Sequence, residues 1–104
     1  MLDARSTLGT ADLPFTVSST SLSRLQATVS YRALQSGCAP QALMLIYVDG
    51  VAAYRAIIKL SPNQNQTVFL NYDFQLPVAS GQGNLHVEAD GGCESNWEIQ
   101  GVMQ

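Results

Sequence analysis

Apolar and polar residues alternate with a period of two along most of this chain, the mark of strands with one face buried. Leu25, Ala27, Val29 and Tyr31 interleave with Gln26, Thr28, Ser30 and Arg32. Val68, Leu70, Tyr72, Phe74 and Leu76 interleave with Asn71, Asp73 and Gln75, and Phe69 is an aromatic on the polar phase. "NLHVEAD" places Leu85, Val87 and Ala89 inside with His86 and Glu88 outside, and "WEIQGVM" places Trp97 and Ile99 inside. "LPFTVSS" near residue 15 is a weaker first strand. No stretch shows a sustained helical period bounded by caps.

One segment breaks the alternation. "LMLIYVDGVAAYRAII", residues 43–58, reads as a hairpin closed by Asp49-Gly50, yet both of its faces are apolar. A two-residue type I′ turn pairs Val48 with Val51, Tyr47 with Ala52 and Ile46 with Ala53. Leu43, Leu45, Tyr47, Ala52, Tyr54, Ala56 and Ile58 then share one face, the larger, which is assigned to the core. Met44, Ile46, Val48, Val51, Ala53 and Ile57 share the other. Such a face in water marks an interaction site. Either the N-terminal segment, with Leu8, Leu13, Phe15 and Val17, folds over it, or another subunit covers it. The subunit-contact set expected is Met44, Ile46, Val48, Val51, Ala53 and Ile57 with Phe69, Leu8, Leu13 and Phe15.

Turn signals recur at "QSGCAP", "DG", "SPNQNQ", "PVASGQG" and "DGGCES". Short strands so spaced predict an all-β antiparallel β-sandwich, immunoglobulin-like or jelly-roll-like, of about six or seven strands. Residues 1–12 read as an extended N-terminal arm and 13–104 as a single sandwich domain. If each strand reverses the one before, segments 33–42, 61–66 and 90–96 lie at one end and 77–83 at the other. Cys38 and Cys93 then fall at the same end, as one disulfide or two inert thiols, with a bond implying an oxidising destination.

Hydrophobic residues make up 46% of the 104 positions and charged residues only 12%, so amides and hydroxyls carry the polar surface. Such a weakly self-repelling surface suits a protein held in an assembly or a secreted module. Net charge is −3 and the five basic residues are scattered, so no patch for nucleic acid exists. No apolar run approaches the roughly 18 residues of a membrane span. "MLDARSTLGT" lacks the regions of a signal peptide.

Catalytic signals are weak. His86, Glu88 and Asp90 share an outward phase, which reads as a polar face rather than a metal or acid–base site. Glycine-rich "SGQGN" opens no helix and is no phosphate cradle. Asp90, Glu94, Asn63, Asn65 and Asn96 gather at one end, where turn chemistry accounts for them without calcium. Asn65-Gln66-Thr67 is a glycosylation sequon, relevant only in a eukaryotic secretory context. Trp97, Tyr31, Tyr47, Tyr54 and Tyr72 fall on the inward phase, which argues against a sugar-stacking platform.

The expected function is therefore non-enzymatic, without cofactor or metal. The first reading is a structural protein that self-associates or decorates a larger particle, as a virion decoration, capsid or tail component or an extracellular filament subunit. The alternative is a carbohydrate-binding module or adhesin domain of a secreted protein. The partner is the chain itself or a larger assembly, with a glycan under the alternative, and the location is virion or extracellular.

Overall fold

A computed structural model describes residues 1–18, 24–76 and 80–104. Eight strands run in order β1 (Leu2–Ser6), β2 (Thr10–Val17), β3 (Arg24–Ala33), β4 (Gln41–Val48), β5 (Val51–Lys59), β6 (Val68–Gln75), β7 (Gly81–Ala89) and β8 (Ser95–Met103). They form two four-stranded antiparallel sheets, β1-β8-β3-β6 and β2-β7-β4-β5. The pairs β4–β5, β3–β6, β2–β7 and β1–β8 nest one outside the next, like one long hairpin. β8 against β3 and β7 against β4 roll that ribbon into a sandwich. This is the jelly-roll arrangement, one of the two expected.

The alternating phases of β3, β7 and β8 fall as the pattern predicts. Leu25, Val29, Tyr31, Leu85, Val87, Trp97 and Ile99 are fully enclosed between the sheets. Tyr31 and Trp97 meet edge to face at 4.7 Å, the arrangement ring quadrupoles favour. Phe15 reaches over β7 at Gly83, where a Cβ would sit 2.1 Å from its ring.

The N-terminal residues are not a free arm. Leu2–Ser6 is an edge strand, paired with β8 from Leu2 against Gly101 to Ser6 against Trp97. Leu2 and Ala4 pack against the core while Asp3 and Arg5 face solvent. The chain then crosses to the other sheet through residues 7–9. Ala89 N donates to Gly9 O at 2.8 Å and Ser95 N to Thr7 O at 3.3 Å, which ties the crossing to both ends of β7–β8. β2 lies at the edge of its sheet, where Pro14, lacking an N–H, is tolerated.

The hairpin tip is as expected. Asp49 (φ 50) and Gly50 (φ 78) both adopt positive φ, as a type I′ turn requires. Val48 pairs with Val51 and Tyr47 with Ala52. Ile46, however, pairs with Tyr54, which leaves Ala53 as the extra residue of a β-bulge. A one-residue slip exchanges the faces of a strand. Beyond the bulge, Tyr54, Ala56 and Ile58 face inward as expected, but on β4 the assignment is inverted. Met44, Ile46 and Val48 are core, 0%, 0% and 5% exposed, and Leu43, Leu45 and Tyr47 lie outside. The side chains explain the choice: Met44, Ile46 and Val48 carry no polar atom, whereas Tyr47 buried there would need a partner for its hydroxyl. Leu13 and Phe15, expected at a subunit contact, are also core, 1% and 3% exposed, because β2 is a strand of the sandwich and not a cover laid over it.

Cys38 and Cys93 are disulfide-bonded, with Cα atoms 5.6 Å apart. The bond joins the β3–β4 loop to the segment before β8, at the end the strand-reversal argument assigned. The turn expected at 77–83 lies partly outside the described residues.

Replacing Ile46→Asp puts an unpaired charge into the core and removes apolar packing, so a loss of at least about 4 kcal/mol is expected. Measured by chemical denaturation, this should leave little or no folded protein, whereas Tyr47→Asp next to it should fold. The disulfide closes a sequence separation of 55 residues. Reduction should therefore destabilise the fold by about 4 kcal/mol, read as a fall in the denaturant midpoint. An unchanged midpoint would show that loop closure contributes nothing.

Candidate functional site

The outer face of the first sheet is built from the polar phase of four strands. Across it run Asp3, Gln100, Thr28 and Asn71 in one row and Arg5, Glu98, Ser30 and Phe69 in the next. Val102, Gln26 and Asp73 form the row on the other side of the first. Side chains in register across antiparallel strands lie close enough to bond directly. Thr28 Oγ1 donates to Asn71 Oδ1 at 2.8 Å. Gln26 Nε2 donates to Asp73 Oδ2 at 3.4 Å.

Most charges on this face are paired at its margins, while Arg32 donates to the Gln64 carbonyl at 3.4 Å. Arg5 Nε donates to Glu98 Oε2 at 2.8 Å. Arg24 holds Asp73 with two guanidinium nitrogens, Nε at 2.6 Å from Oδ1. Hydrogen bonds from Arg24 hold the Asp73 carboxyl below the usual carboxylate range, against a smaller opposing effect of desolvation, and Asp73 raises Arg24 in return. Both groups are exposed, so salt weakens the pair. What remains in the middle is a neutral field of amides and hydroxyls.

Phe69 stands at the edge of this field with its side chain in water. It is 67% exposed near the start of the edge strand β6, flanked by Ser30 across the ladder. In the neighbouring rows a cleft of about 470 Å³, which Phe69 does not itself line, runs over Gln26, Thr28, Asn71, Asp73, Gln100 and Val102. A smaller hollow of about 160 Å³ lies on the other side, over Ser30, Arg32 and Asn96. A shallow groove of convergent hydrogen-bonding groups beside an exposed ring can take a flat ligand with one apolar face and a polar rim.

The other sequence-singled residues fall elsewhere. Leu8, Val51 and Ile57 are exposed at 66%, 70% and 55%, Leu8 in the crossing between sheets and the other two on β5. Ala53 is exposed in the bulge. These three β5 residues and Phe69 lie on different sheets, so the structure does not gather them into one surface. On the second sheet, His86 Nδ1 lies 2.8 Å from Asp12 Oδ1 and Nε2 lies 3.6 Å from Glu88 Oε2. Asn84 Nδ2 donates to the same Asp12 oxygen at 2.8 Å. Asp90 accepts instead from Gln41 Nε2 at 2.6 Å. Among the described residues no group of three or more His, Cys, Asp or Glu side chains is placed to hold a metal.

Aromatic placement differs from the inward phase expected. Tyr31 and Trp97 are core, but Tyr47 is on the outer face of the second sheet and Tyr54 is 42% exposed. Tyr54, Phe74 and Tyr72 line the open side between β5 and β6, with centroids 4.8 Å and 5.5 Å apart. Burial, with Tyr54 beside it, pushes the Tyr72 hydroxyl above its ordinary range. The cleft was missed by sequence reading because no motif marks it. The only trace was Phe69, an aromatic on a polar phase.

No protein-family model and no curated protein sequence matches the chain. Solved structures do. A family 35 carbohydrate binding module from an environmental isolate is similar over 93% of this chain and 69% of its own, with a TM-score of 0.55 and 15% identity. A family 4 carbohydrate-binding module (CBM4) is similar over 98% of this chain and 82% of its own, with a TM-score of 0.54 and 7% identity. A segment of a GH115 4-O-methyl-α-glucuronidase with specificity for decorated arabinogalactans matches over 98% of this chain and 14% of that enzyme, with a TM-score of 0.57 and 9% identity. At such identities the likeness is one of fold.

The Arg24–Asp73 pair has a measurable signature. A depressed Asp73 pKa means the pair adds stability above the unfolded carboxyl pKa and loses it as pH falls through the lower folded value. In a carbon-detected NMR titration the Asp73 carboxyl should titrate below ordinary aspartates, and Arg24→Gln should raise its midpoint. A midpoint indifferent to Arg24 would show that the pair does not persist in solution.

Proposed function

We propose that this chain is a non-catalytic carbohydrate-binding domain of a secreted protein, and that it binds neutral glycan on the outer face of its first sheet. The observation that carries the reading is the Phe69 ring, 67% exposed on the edge strand of a sheet face made of amides and hydroxyls. A pyranose presents an apolar C–H face and a rim of equatorial hydroxyls. The ring offers a surface for the first, and Thr28, Asn71, Gln26 and Gln100 offer partners for the second. Carboxylates and guanidinium groups on this face are largely engaged with one another, which favours an uncharged sugar over a uronate or a sulfated chain. The similar carbohydrate-binding modules support the reading at the level of fold, and function rests on the site itself.

Absence of catalysis is part of the proposal. Both nitrogens of His86 face acids, Asp12 and Glu88, so the group has no nucleophile to activate. The Cys38–Cys93 bond supports an extracellular destination. The similar structures lend no support to a virion decoration, capsid or tail component, and that reading is set aside.

Burying the exposed Phe69 surface under one sugar removes on the order of 60 Å² of apolar area from water, worth about 1.5 kcal/mol, or roughly tenfold in affinity. Native affinity electrophoresis through gels containing neutral plant, fungal and bacterial polysaccharides is the test. At least one should retard the protein, and Phe69→Ala should lose most of that retardation with its thermal unfolding unchanged. Free migration through every gel, or undiminished retardation of Phe69→Ala, would overturn the assignment.

A further inference from the structure

The outer face of the second sheet is divided into three stripes. Asp12 on β2 and Glu88 on β7 form an acidic flank, with His86 and Asn84 between them. Leu43, Leu45 and Tyr47 on β4 form an apolar middle that is only half-buried, continued by Ile57, 55% exposed, opposite Leu43 on β5. Arg55 and Lys59 on β5 form a basic flank and are exposed, and among the described residues neither makes an ion pair with a carboxylate.

An apolar stripe with opposite charges on its two sides is complementary to itself. We propose that this face docks a second copy of the chain, face to face, about a two-fold axis running along β4. That axis lays Leu43, Leu45 and Tyr47 on the same residues of the other copy. It sets the basic β5 flank over the acidic β7 flank and does so twice, as an isologous contact must. An axis running across the strands would instead place β5 on β5, cation against cation. Joining of β5 edges into a continuous sheet is disfavoured by the Ala53 bulge and by the charges of Arg55 and Lys59, the devices that keep edge strands apart.

The size of the face limits the strength of the contact. About this axis three strands, β7, β4 and β5, lie over one another and β2 overhangs; at about 4.8 Å apart and about 26 Å long they give a footprint of roughly 370 Å² per copy. Both copies together bury about 750 Å², below the size of a standard specific interface, so the dimer is weak and reversible. The first-sheet faces of such a dimer point away from each other on opposite sides. The inference is independent of the glycan reading and is tested without a sugar.

The experiment is sedimentation equilibrium of the oxidised chain from about 10 µM to about 1 mM at low salt, the range in which a weak dimer forms. The mass should rise from one chain toward two, and added salt should weaken the association. Lys59→Glu should weaken it at least fivefold, Arg55→Glu likewise, and the charge swap Lys59→Glu with Glu88→Lys should restore it. Both swapped positions are exposed, and unfolding curves of each variant confirm the fold. A mass of one chain throughout would overturn the proposal. So would a dimer indifferent to Lys59→Glu and Arg55→Glu, or one that the charge swap fails to restore.

Discussion

All four hairpin-like pairings in this protein nest around the Asp49–Gly50 turn, and the architecture depends on the register that turn sets. Two positive-φ residues close the β4–β5 hairpin with the twist its strands need. Asp49 also accepts from Gln82 N at 2.9 Å, which ties the hairpin tip to the start of β7. From there the phase of β4 is transmitted to β7 through Ile46 against Leu85 and Met44 against Val87, and so to β2. Each outer pair joins residues more distant in sequence, and the outermost, β1 with β8, unites the two ends of the chain. Such a topology buries its core only when the whole ribbon has rolled, because most pairings are non-local. The Cys38–Cys93 bond then holds the end of the sandwich opposite that turn.

The Ala53 bulge is the second constraint. It lets one hairpin present polar-free side chains inward on β4 and still return Tyr54, Ala56 and Ile58 to the core side on β5. Without it, Tyr54 and Ile58 would exchange sides with Arg55 and Ile57. The hairpin is apolar on both faces for a different reason: β4 is a central strand whose outer side chains are half-covered by neighbours. The open side between β5 and β6 is filled by the rings of Tyr54, Phe74 and Tyr72 rather than by backbone pairing.

The two outer faces have different chemistry, and this difference organises the functional reading. The first sheet shows amides, hydroxyls and paired charges, with one exposed ring on its edge strand. The second shows an apolar stripe between charges of opposite sign. The low charge content of the chain leaves the first face nearly neutral at its centre, a surface that can match sugar hydroxyls without attracting ions. The proposed glycan face and the proposed self-association face therefore lie on opposite sides of one sandwich, and neither would obstruct the other.

Alternation determined the all-β class and the phases of β3, β7 and β8, the Asp49-Gly50 dipeptide the type I′ turn, and connection parity the shared end of the two cysteines. These are properties of period-two burial, of a local turn and of connection parity, which do not depend on which strands become neighbours. Tertiary structure alone decided the rest. β1 looked like an arm because five residues alternating weakly, Leu2, Ala4 and Ser6 against Asp3 and Arg5, become a strand only when β8 supplies the ladder. The inner face of β4 was undecidable from a segment apolar on both phases, and a single extra residue at Ala53 moved the answer. Tyr47 left the core for the same reason, whereas Tyr54 kept its inward phase and is exposed only because it lies at the open side of the sandwich. The candidate site followed neither from motif nor from spacing: Phe69, Thr28, Gln26 and Gln100 come from three strands, and only sheet pairing makes them one surface.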